Sequence, residues 1–328
     1  MDLLDRLRID VPVVQAGMGG GVSGPRLAGA VAAAGGLGTL GLAAPAALRD
    51  GIDRVREQAP GRAAAVNLLM PFVRRRHVAA CLERRADVVV LFFGGDAALV
   101  RDLHEAGTFV LAQVGTRGEA ADAVGWGVDA LIAQGSEAGG HLLGRRPALA
   151  TLAEVAPVAG ARPVLVAGGI ATGADTTATL AAGAAGVVAG TRFLLTEESE
   201  AHPLYRERVL AATETIETTL FGLAWPARHR VVANDATRRW LRSDGSVRPL
   251  PGLINARTGP LARVVPDAVA DRLPRLQRAH VPLLAPAPPL AGMADTTVES
   301  TPLYAGESAL RIGSVVTAAE AVALLAGN

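Results

Sequence analysis

Eight short apolar runs between residues 11 and 193 constrain the fold of this chain more than any other feature. Segments with helical apolar spacing separate them, for example residues 25–35, 96–107 and 173–183. Near-continuous apolar strands that alternate with helices indicate a parallel sheet covered on both faces. Eight such units predict an α/β protein built as a closed (β/α)8 TIM barrel. The predicted strands occupy residues 11–17, 36–42, 63–69, 86–94, 108–115, 128–135, 162–170 and 186–193.

The regular alternation ends after residue 193. Residues 198–221 have the pattern of one or two helices, and residues 227–241 have the pattern of another. The proline-rich stretch 280–293 predicts irregular chain, and residues 317–327 predict a final helix that returns to the barrel. We therefore expect a smaller, mostly helical added domain or lid after the eighth strand. The predicted division is a barrel over residues 1–199, an added domain over 200–300 and a C-terminal segment over 301–328.

Composition excludes several classes of chemistry. The formal net charge of +1 gives no electrostatic footprint for nucleic acid. All 32 basic residues are arginine, so Schiff-base chemistry, attachment of pyridoxal phosphate and a Walker-type phosphate loop, which need lysine, are excluded. The one cysteine, Cys81, falls in a helical pattern and is expected to pack as a small apolar residue. An internal disulfide and a cysteine-based metal site are therefore excluded.

The sequence predicts a cytoplasmic protein without a membrane segment. The charged N-terminus lacks the apolar core of a secretory signal. The uncharged run 27–48 approaches the length of a membrane span. Two glycines at 35–36 and Pro45 interrupt it, however, so a strand flanked by two partial helices explains it better.

Amide side chains stand near the carboxyl ends of four predicted strands, at Gln15, Asn67, Gln113 and Gln134. Any one of them could simply cap a loop. Four at equivalent places favour a site, because the carboxyl ends of barrel strands form the rim where active sites lie.

The glycine-rich stretch 17–24 contains a formal G-x-G-x-x-G motif. A dinucleotide-binding fingerprint also needs an acidic residue about 20 positions further on. Residues 25–49 contain neither Asp nor Glu, so that interpretation fails. A surface of bare backbone beneath a flat ring remains compatible with the motif.

Glycines also follow the seventh and eighth predicted strands, in "AGGI" (167–170) and "AGT" (189–191). In TIM barrels the loops after these strands commonly bind phosphate through backbone N–H groups and a helix N-terminus. A Cβ atom would block that approach, which explains the glycines. The alternative is a pair of tight turns without a ligand.

His141 lies in "EAGGHLLG", after the sixth predicted strand and on the same rim. An imidazole with a pKa near ~6.5 can act as a general base. A lone histidine is more often a surface or capping residue. The neighbouring phosphate site makes the catalytic interpretation the stronger one.

Several segments taken together resemble the nitronate monooxygenases, formerly called 2-nitropropane dioxygenases. They are "VPVVQAGMGGGVSGPRLAGAVAAAGGLGTLG", "VNLLMPF", "DALIAQGSEAGGH", "VLVAGGIATG" and "GTRFLLTEESEAHPLYR", which cover residues 11–206 in register, with "PLYAGESALRI" at 302–312. Flavin-dependent enoyl-ACP reductases share the AGGH, GGI and GTRF elements, and some quinone reductases are built in the same way.

The resemblance implies a barrel that binds FMN non-covalently, and it assigns His141 as the group that takes a proton from a neutral nitroalkane. Met18 and the adjacent glycines would lie by the isoalloxazine ring, and Asn67 and Gln134 would hydrogen-bond the flavin. The glycine loops after strands seven and eight would hold the phosphate. The full set that the resemblance assigns to the cofactor is Gly17, Met18, Gly19, Asn67, Gln134, Gly139, Gly140, Gly168, Gly169, Ala189, Gly190, Thr191, Gly306 and Ser308.

This chain departs from the family pattern after His141. The family usually continues GGH-x-G, whereas "GGHLLG" is one residue longer and lacks the polar stretch that usually follows. The substrate loop is therefore expected to be reshaped.

Three functions remain open from the sequence. The leading one is an FMN-dependent nitronate monooxygenase that oxidises alkyl nitronates with O2 to a carbonyl compound and nitrite. The alternative is an NAD(P)H-dependent FMN reductase that acts on an enoyl thioester or a quinone. The third is a flavin-binding or ligand-sensing barrel without turnover. A homodimer is expected only because two-fold dimers are the commonest soluble assembly.

Overall fold

The computed structural model describes residues 3–258 and 273–327. Its eight-stranded sheet is parallel throughout, with strand order β1-β9-β8-β6-β5-β4-β3-β2. A parallel bridge between Val14 and Leu37 joins the two edge strands and closes the barrel. The predicted TIM-barrel fold is therefore confirmed. The barrel strands are β1 (Val13–Gln15), β2 (Thr39–Leu40), β3 (Ala65–Leu69), β4 (Val88–Phe92), β5 (Phe109–Val114), β6 (Ala130–Gln134), β8 (Val164–Ala167) and β9 (Gly186–Ala189).

Helices follow the barrel strands as the apolar spacing predicts, and several begin at a side-chain cap. Asp96, Thr116 and Thr172 each accept a hydrogen bond from a backbone N–H in the first turn of the helix that follows. The helices are α1 (Leu3–Leu7), α2 (Pro25–Ala33), α3 (Pro45–Gln58), α4 (Arg75–Glu83), α5 (Ala97–Glu105), α6 (Arg117–Trp126), α7 (Ala148–Ala159), α8 (Gly173–Ala181), α9 (Thr191–Leu194), α10 (Pro203–Leu210), α11 (Asp235–Trp240), α12 (Pro249–Thr258), α13 (Leu273–Leu276) and α14 (Ala318–Ala326). Short 3-10 turns span Met70–Phe72, Asp295–Thr297 and Glu307–Arg311.

The barrel strands are mostly apolar because both of their faces are buried, and their polar exceptions include the amides Gln15, Asn67, Gln113 and Gln134. Val88 and Val90 of β4 belong to the cluster inside the barrel, and Val89 and Leu91 belong to the cluster between sheet and helices. Cys81 of α4 is fully buried in the outer cluster, and burial raises the pKa of its thiol to about 12. It therefore packs as a small apolar residue, as predicted.

The chain after β9 differs from the expected helices in two places. Residues 216–218 and 229–231 form an antiparallel pair, β10 (Ile216–Thr218) and β11 (His229–Val231). Strand β11 also pairs with β7 (Gly140–His141), which lies in the loop after β6. Three-residue strands carry no readable periodicity, and this pairing joins segments far apart in sequence, so the helical prediction was wrong there. The predicted eighth strand was also too long, because α9 begins at Thr191.

The rest of the region after β9 combines irregular chain with a C-terminal helix. Residues 280–293 contain neither helix nor strand beyond an isolated bridge from Leu290 to Ala201, and α14 packs against α2 and α8 of the barrel. One apolar cluster contains barrel residues such as Leu194 and later residues such as Val209 and Leu303. The domain boundaries at 199 and 300 stay a prediction. Across the described ranges, none of the helices combines the length and apolar character that a bilayer crossing requires.

Candidate active site

A cavity of about 210 Å³ lies at the carboxyl ends of the barrel strands. All eight parallel strands, or the loops that follow them, contribute to its wall. This is the rim at which TIM barrels carry their active sites. Predicted site residues that line the cavity are Gly17, Met18, Gly19, Asn67, Gln134, Gly139, Gly140, His141, Gly168, Gly169, Ala189, Gly190, Thr191 and Ser308.

Two of the lining glycines leave open space that the protein does not fill. A Cβ atom on Gly19 would meet no other atom within 4 Å, and a Cβ on Gly190 would meet only the Cβ of Ala16, at 3.7 Å. Packing therefore does not require glycine at either position. Bare backbone there leaves room for a ligand to press against it.

Gly17 is a glycine for a different reason. A Cβ at this position would lie 2.3 Å from the Cβ of Asn67. The Asn67 amide donates a 3.0 Å hydrogen bond to the Gly17 carbonyl, so the two residues pack directly on each other. Ser23, which the sequence did not single out, holds the next residue by accepting a 2.9 Å hydrogen bond from the N–H of Met18.

The loops after β8 and β9 form a backbone surface that suits an anion. Gly168 and Gly169 both have positive φ, +118° and +75°, which glycine adopts without strain. In the described part of the chain, the N–H groups of Gly168, Gly169 and Gly190 donate to no protein acceptor. Such free amides beside a helix N-terminus are a common binding site for phosphate.

Asp175 and Arg311 stabilise this surface, although neither belongs to a motif that sequence patterns indicate. The Asp175 carboxylate accepts hydrogen bonds from the N–H groups of Ala171 and Thr172, both at 2.9 Å. Arg311 donates to the same carboxylate and to the Gly169 carbonyl. The Asp175–Arg311 pair therefore fixes the loop from behind and leaves the amides of the preceding glycines free.

Gly306 does not line the cavity, although the resemblance assigned it to the cofactor. It supports the wall instead. Its N–H donates to the Thr191 hydroxyl at 2.9 Å, and a Cβ on Gly139 would lie only 2.4 Å from the Gly306 nitrogen. The C-terminal segment therefore packs backbone-to-backbone against the loop that precedes His141.

The strand-end amides divide into those that hold loops and one that faces the cavity unpaired. The Gln134 side chain donates to the His141 carbonyl at 2.9 Å and accepts from the Leu143 N–H at 2.7 Å. Gln15 accepts from the Thr39 N–H at 2.9 Å. The Gln113 amide lines the cavity and has no hydrogen-bond partner among the described residues.

His141 lies in an aromatic enclosure. Its ring stacks on Trp225 with centroids 4.0 Å apart and an interplanar angle of 29°. Tyr304 and His229 lie 5.3 Å away, and Phe93 lies 6.4 Å away. The ring keeps some surface toward the cavity, but its Nε2 atom is fully buried and has no hydrogen-bond partner in the described chain.

Burial sets the charge state of this imidazole. Desolvation, with a smaller contribution from His229, holds the pKa of His141 well below its usual 6.5. The imidazole of His141 is therefore neutral at pH 7. This lowering of the pKa cannot be predicted from the sequence, because Trp225 and His229 lie in a distant segment of the chain.

His229 is a second buried histidine that the sequence analysis missed. Its Nδ1 donates to the Ala227 carbonyl at 2.9 Å, and its Nε2 accepts a longer, 3.4 Å hydrogen bond from the Phe221 N–H. Burial lowers the pKa of His229 to about 4. It therefore stays neutral, with its proton on Nδ1, opposite His141 in the β7–β11 pair.

The extra residue of "GGHLLG" is accommodated by the same pair of strands. Leu142 is buried, and its N–H donates to the Arg228 carbonyl at 2.8 Å. The Arg230 guanidinium donates twice to the Ser136 carbonyl, at 3.1 and 2.8 Å, and once to the Thr215 hydroxyl, at 3.0 Å. The reshaped loop is thus held by the segment after the barrel.

The described cavity wall is nearly uncharged. Glu137 is its one acidic residue, and both of its carboxylate oxygens accept from the Ala148 N–H at the start of α7. No arginine belongs to the described wall. The site therefore offers a ligand backbone amides, one free side-chain amide, a neutral imidazole and aromatic rings.

Comparison with known proteins identifies the family of the chain. The family model described as nitronate monooxygenase matches residues 2–72 and 42–326. A (3aS,4S,5R,7aS)-5-hydroxy-7a-methyl-1-oxo-octahydro-1H-indene-4-carboxyl-CoA dehydrogenase of Rhodococcus jostii (strain RHA1) is 34% identical over 256 residues, 76% of this chain and 69% of that protein.

Two solved structures match nearly the whole chain. FabK from Thermotoga maritima has a TM-score of 0.77 at 28% identity and covers 98% of this chain and 94% of its own. A nitroalkane oxidase from Streptomyces ansochromogenes has a TM-score of 0.75 at 28% identity and covers 97% and 95%. The chain belongs to the nitronate monooxygenase family of flavin-dependent oxidoreductases.

Proposed function

We propose that the protein is an FMN-dependent nitronate monooxygenase that converts alkyl nitronates and O2 into carbonyl compounds and nitrite. The observation that carries this proposal is the position of His141. A neutral imidazole with an unpaired, buried nitrogen lies on the same rim as a bare glycine surface and free backbone amides. One cavity therefore combines the features needed for a flat phosphorylated cofactor and for proton exchange with a substrate.

The residues present fit FMN. Gly19 and Gly190 leave space over bare backbone, and the free N–H groups at Gly168 and Gly169 suit a phosphate. The unpaired Gln113 amide is a further polar group within the cavity. When bound, FMN supplies the oxidation of the nitronate and the reaction with O2.

His141 accepts a proton from a neutral nitroalkane in this proposal, but the wall makes it a weak base. Burial disfavours the imidazolium, and the described wall provides no carboxylate within hydrogen-bond reach of the ring to stabilise it. A nitronate is already deprotonated, and its negative charge would itself favour the imidazolium. We therefore expect preformed nitronates to be better substrates than neutral nitroalkanes.

The experiment compares His141→Ala with the parent enzyme on nitroethane and on preformed ethyl nitronate, with nitrite release as the measurement. Loss of a general base lowers rates by about 10²–10⁴-fold, so nitroethane turnover should fall by at least about 100-fold. Turnover of the nitronate should fall much less, because no C–H proton has to leave.

His104→Ala is the matched control, since His104 lies at the surface, where its Nε2 contacts the Asp129 carboxylate at 2.9 Å. This control should keep both activities. Equal losses on the two substrates in His141→Ala would remove the base assignment. Absence of nitrite from every nitronate tested would contradict the proposed function.

A second candidate is an NAD(P)H-dependent flavin reductase that acts on an enoyl thioester or a quinone. It is favoured by the relative at 34% identity, whose name describes the dehydrogenation of a CoA thioester. Rapid anaerobic loss of the flavin's yellow absorbance on addition of NADH would support this function. The same loss with a nitronate in the absence of NADH would support the first. A homodimer and a cytoplasmic location stay predictions from the sequence.

A further inference from the structure

The chain concentrates its few aromatic residues around the cavity. It has only six Phe, three Trp and two Tyr. The cavity wall contains Phe72, Phe92, Tyr205, Trp225 and Tyr304, and the ring of Phe93 contacts both Phe92 and Trp225. Because the chain has so few aromatic residues, their clustering around the cavity is a feature of the site and does not follow from the overall composition.

Three of these rings form a continuous surface, which we call the aromatic wall and define as Phe72, Phe93 and Trp225. The centroid of Trp225 lies 5.2 Å from that of Phe72 and 4.9 Å from that of Phe93, both with the edge of one ring toward the face of the other. All three keep solvent-exposed surface, whereas core aromatics such as Phe193 and Phe221 are fully buried. The wall is therefore apolar surface that the fold leaves uncovered beside His141.

Backbone strain accompanies two of the three rings. Phe93 has φ +62°, and Ala224, directly before Trp225, has φ +65°. Non-glycine residues adopt this left-handed region at a cost and keep it only where the surroundings hold them there. The chain therefore accepts backbone strain at two separate points, at and directly before the residues that carry these two contacting rings.

The aromatic wall lies at the His141 end of the cavity, where Phe72 and Trp225 line it directly and Phe93 contacts Trp225. Trp225 stacks directly on His141, and Phe93 presents an edge to the same imidazole. The free backbone amides that suit a phosphate follow β8 and β9 instead. Pro286 and Pro288 extend the apolar lining, and no arginine joins it among the described residues. A charged substituent would find no partner here, whereas a hydrocarbon group would displace water from exposed rings.

We propose that the aromatic wall binds a bulky, uncharged hydrocarbon group of the substrate, so that the enzyme prefers branched or cyclic nitronates to ethyl nitronate. Trp225 is the main determinant of this preference, because it contacts both other rings of the wall and His141. The reaction in this proposal rests on the proposed function. The preference for a bulky hydrocarbon substituent rests on the aromatic wall alone.

The first test measures kcat/KM for ethyl and cyclohexyl nitronate, with nitrite release as the readout. Each buried methylene group contributes enough for about a three- to four-fold preference, so the cyclohexyl compound should be favoured by at least about 10-fold. Trp225→Ala should bring the ratio of the two kcat/KM values close to one. Trp225→Phe, which keeps an aromatic ring, should retain most of the preference.

Trp126→Phe is the control, because Trp126 is also partly exposed but lies at the end of α6, outside the cavity wall. Its substrate ratio should equal that of the parent. A parent enzyme without preference for the larger nitronate, or a ratio that Trp225→Ala does not change, would overturn the proposal.

A second measurement separates this proposal from the proposed function. The flavin-loaded enzyme is titrated by calorimetry with cyclohexanone and with acetone, carbonyl compounds that need no turnover. Cyclohexanone should bind at least about 10-fold more tightly, and Trp225→Ala should abolish the difference. If cyclohexanone binds more tightly but the enzyme oxidises no nitronate, the proposed reaction is refuted and the proposed hydrocarbon site is supported. Equal affinity for the two ketones would overturn the hydrocarbon site.

Discussion

Gly190 is a cavity-lining residue at which the packing of the fold does not require glycine. Its φ of −101° is accessible to any residue, and a Cβ there would make only an ordinary contact with Ala16. Nothing in the packing therefore selects glycine. The open space in front of this glycine therefore has a role only if a ligand occupies it.

We expect Gly190→Ala to leave the flavin-free protein as stable as the parent and to weaken flavin binding by at least about 10-fold, because the methyl group fills ligand space. Thermal denaturation of the flavin-free protein and fluorescence titration with FMN measure the two effects.

Gly125→Ala serves as the control, since Gly125 lies in α6 and a Cβ there would meet no atom within 4 Å. It should stabilise the helix by about 0.5–1 kcal/mol and leave FMN affinity unchanged. Unaltered FMN affinity in Gly190→Ala would show that the cofactor does not use this surface.

The residue types of the site could be predicted from sequence, but their partners could not. Glycines and amides at strand ends indicated the rim, and the structure brings nearly all of them to one cavity. Gln134, expected to bind the flavin, lines the cavity and also holds the loop at His141 and Leu143, which no sequence pattern indicated. The low pKa of His141 depends on rings from a segment more than 80 residues away, which no local pattern reveals.

At the scale of secondary-structure elements, the strand that carries His141 exists because of a partner outside the barrel. Strand β7 has only two residues and pairs only with β11 in the described structure. Arg230 of β11 reinforces the pairing through the Ser136 carbonyl and is only 11% exposed at its side chain. Two short strands and one buried guanidinium thus determine where the imidazole lies.

Arg230→Met should loosen this loop without unfolding the barrel. It removes both hydrogen bonds to the Ser136 carbonyl, and a buried carbonyl left unsatisfied costs about 1–3 kcal/mol. Hydrogen exchange of amides in residues 136–143 should accelerate by at least about 10-fold, while amides of β4 and β5 keep their protection.

Arg238→Met is the comparison variant, because Arg238 is an exposed arginine paired with Asp235 on α11. Surface ion pairs contribute little, so exchange in residues 136–143 should not change. Unchanged exchange there in Arg230→Met as well would mean that the β7–β11 pair does not depend on the guanidinium.

The elements that sequence predicted well are those whose pattern is local. Each barrel strand is buried on both faces and each is followed by a helix, so the eightfold alternation is readable without knowledge of contacts. Strands β10 and β11 have three residues each and depend on pairing with a distant loop, which is why the sequence pattern pointed to helices there.

At the scale of the whole molecule, the C-terminal helix completes the barrel that the N-terminal strand begins. Helix α14 buries Val322 and Leu325 in one apolar cluster with Val13 of β1 and Val187 of β9. The same helix packs against α2 and α8 of the barrel. Strand β1 and helix α14 thus stabilise each other, so loss of either should affect the whole fold.

Leu325→Ala should lower the free energy of unfolding by about 2–5 kcal/mol, because it leaves a cavity in a fully buried cluster. Leu324→Ala, one position earlier and 48% exposed, should change it by less than about 0.5 kcal/mol. Urea denaturation followed by circular dichroism compares the two. Similar effects from both would mean that the helix does not dock as described.

The junction between β7 and β11 has a consequence for how such an enzyme can diversify. The glycines that line the cavity lie on loops of the barrel itself, whereas Trp225, which stacks on His141, lies on the connection between β10 and β11. Changes of length or side chain in that hairpin can alter which molecules reach the imidazole. The glycine loops proposed to bind the cofactor would stay unchanged. In the proposed enzyme, cofactor binding and substrate selection thus depend on separate segments of one chain. Substitutions in the two segments can therefore accumulate at different rates.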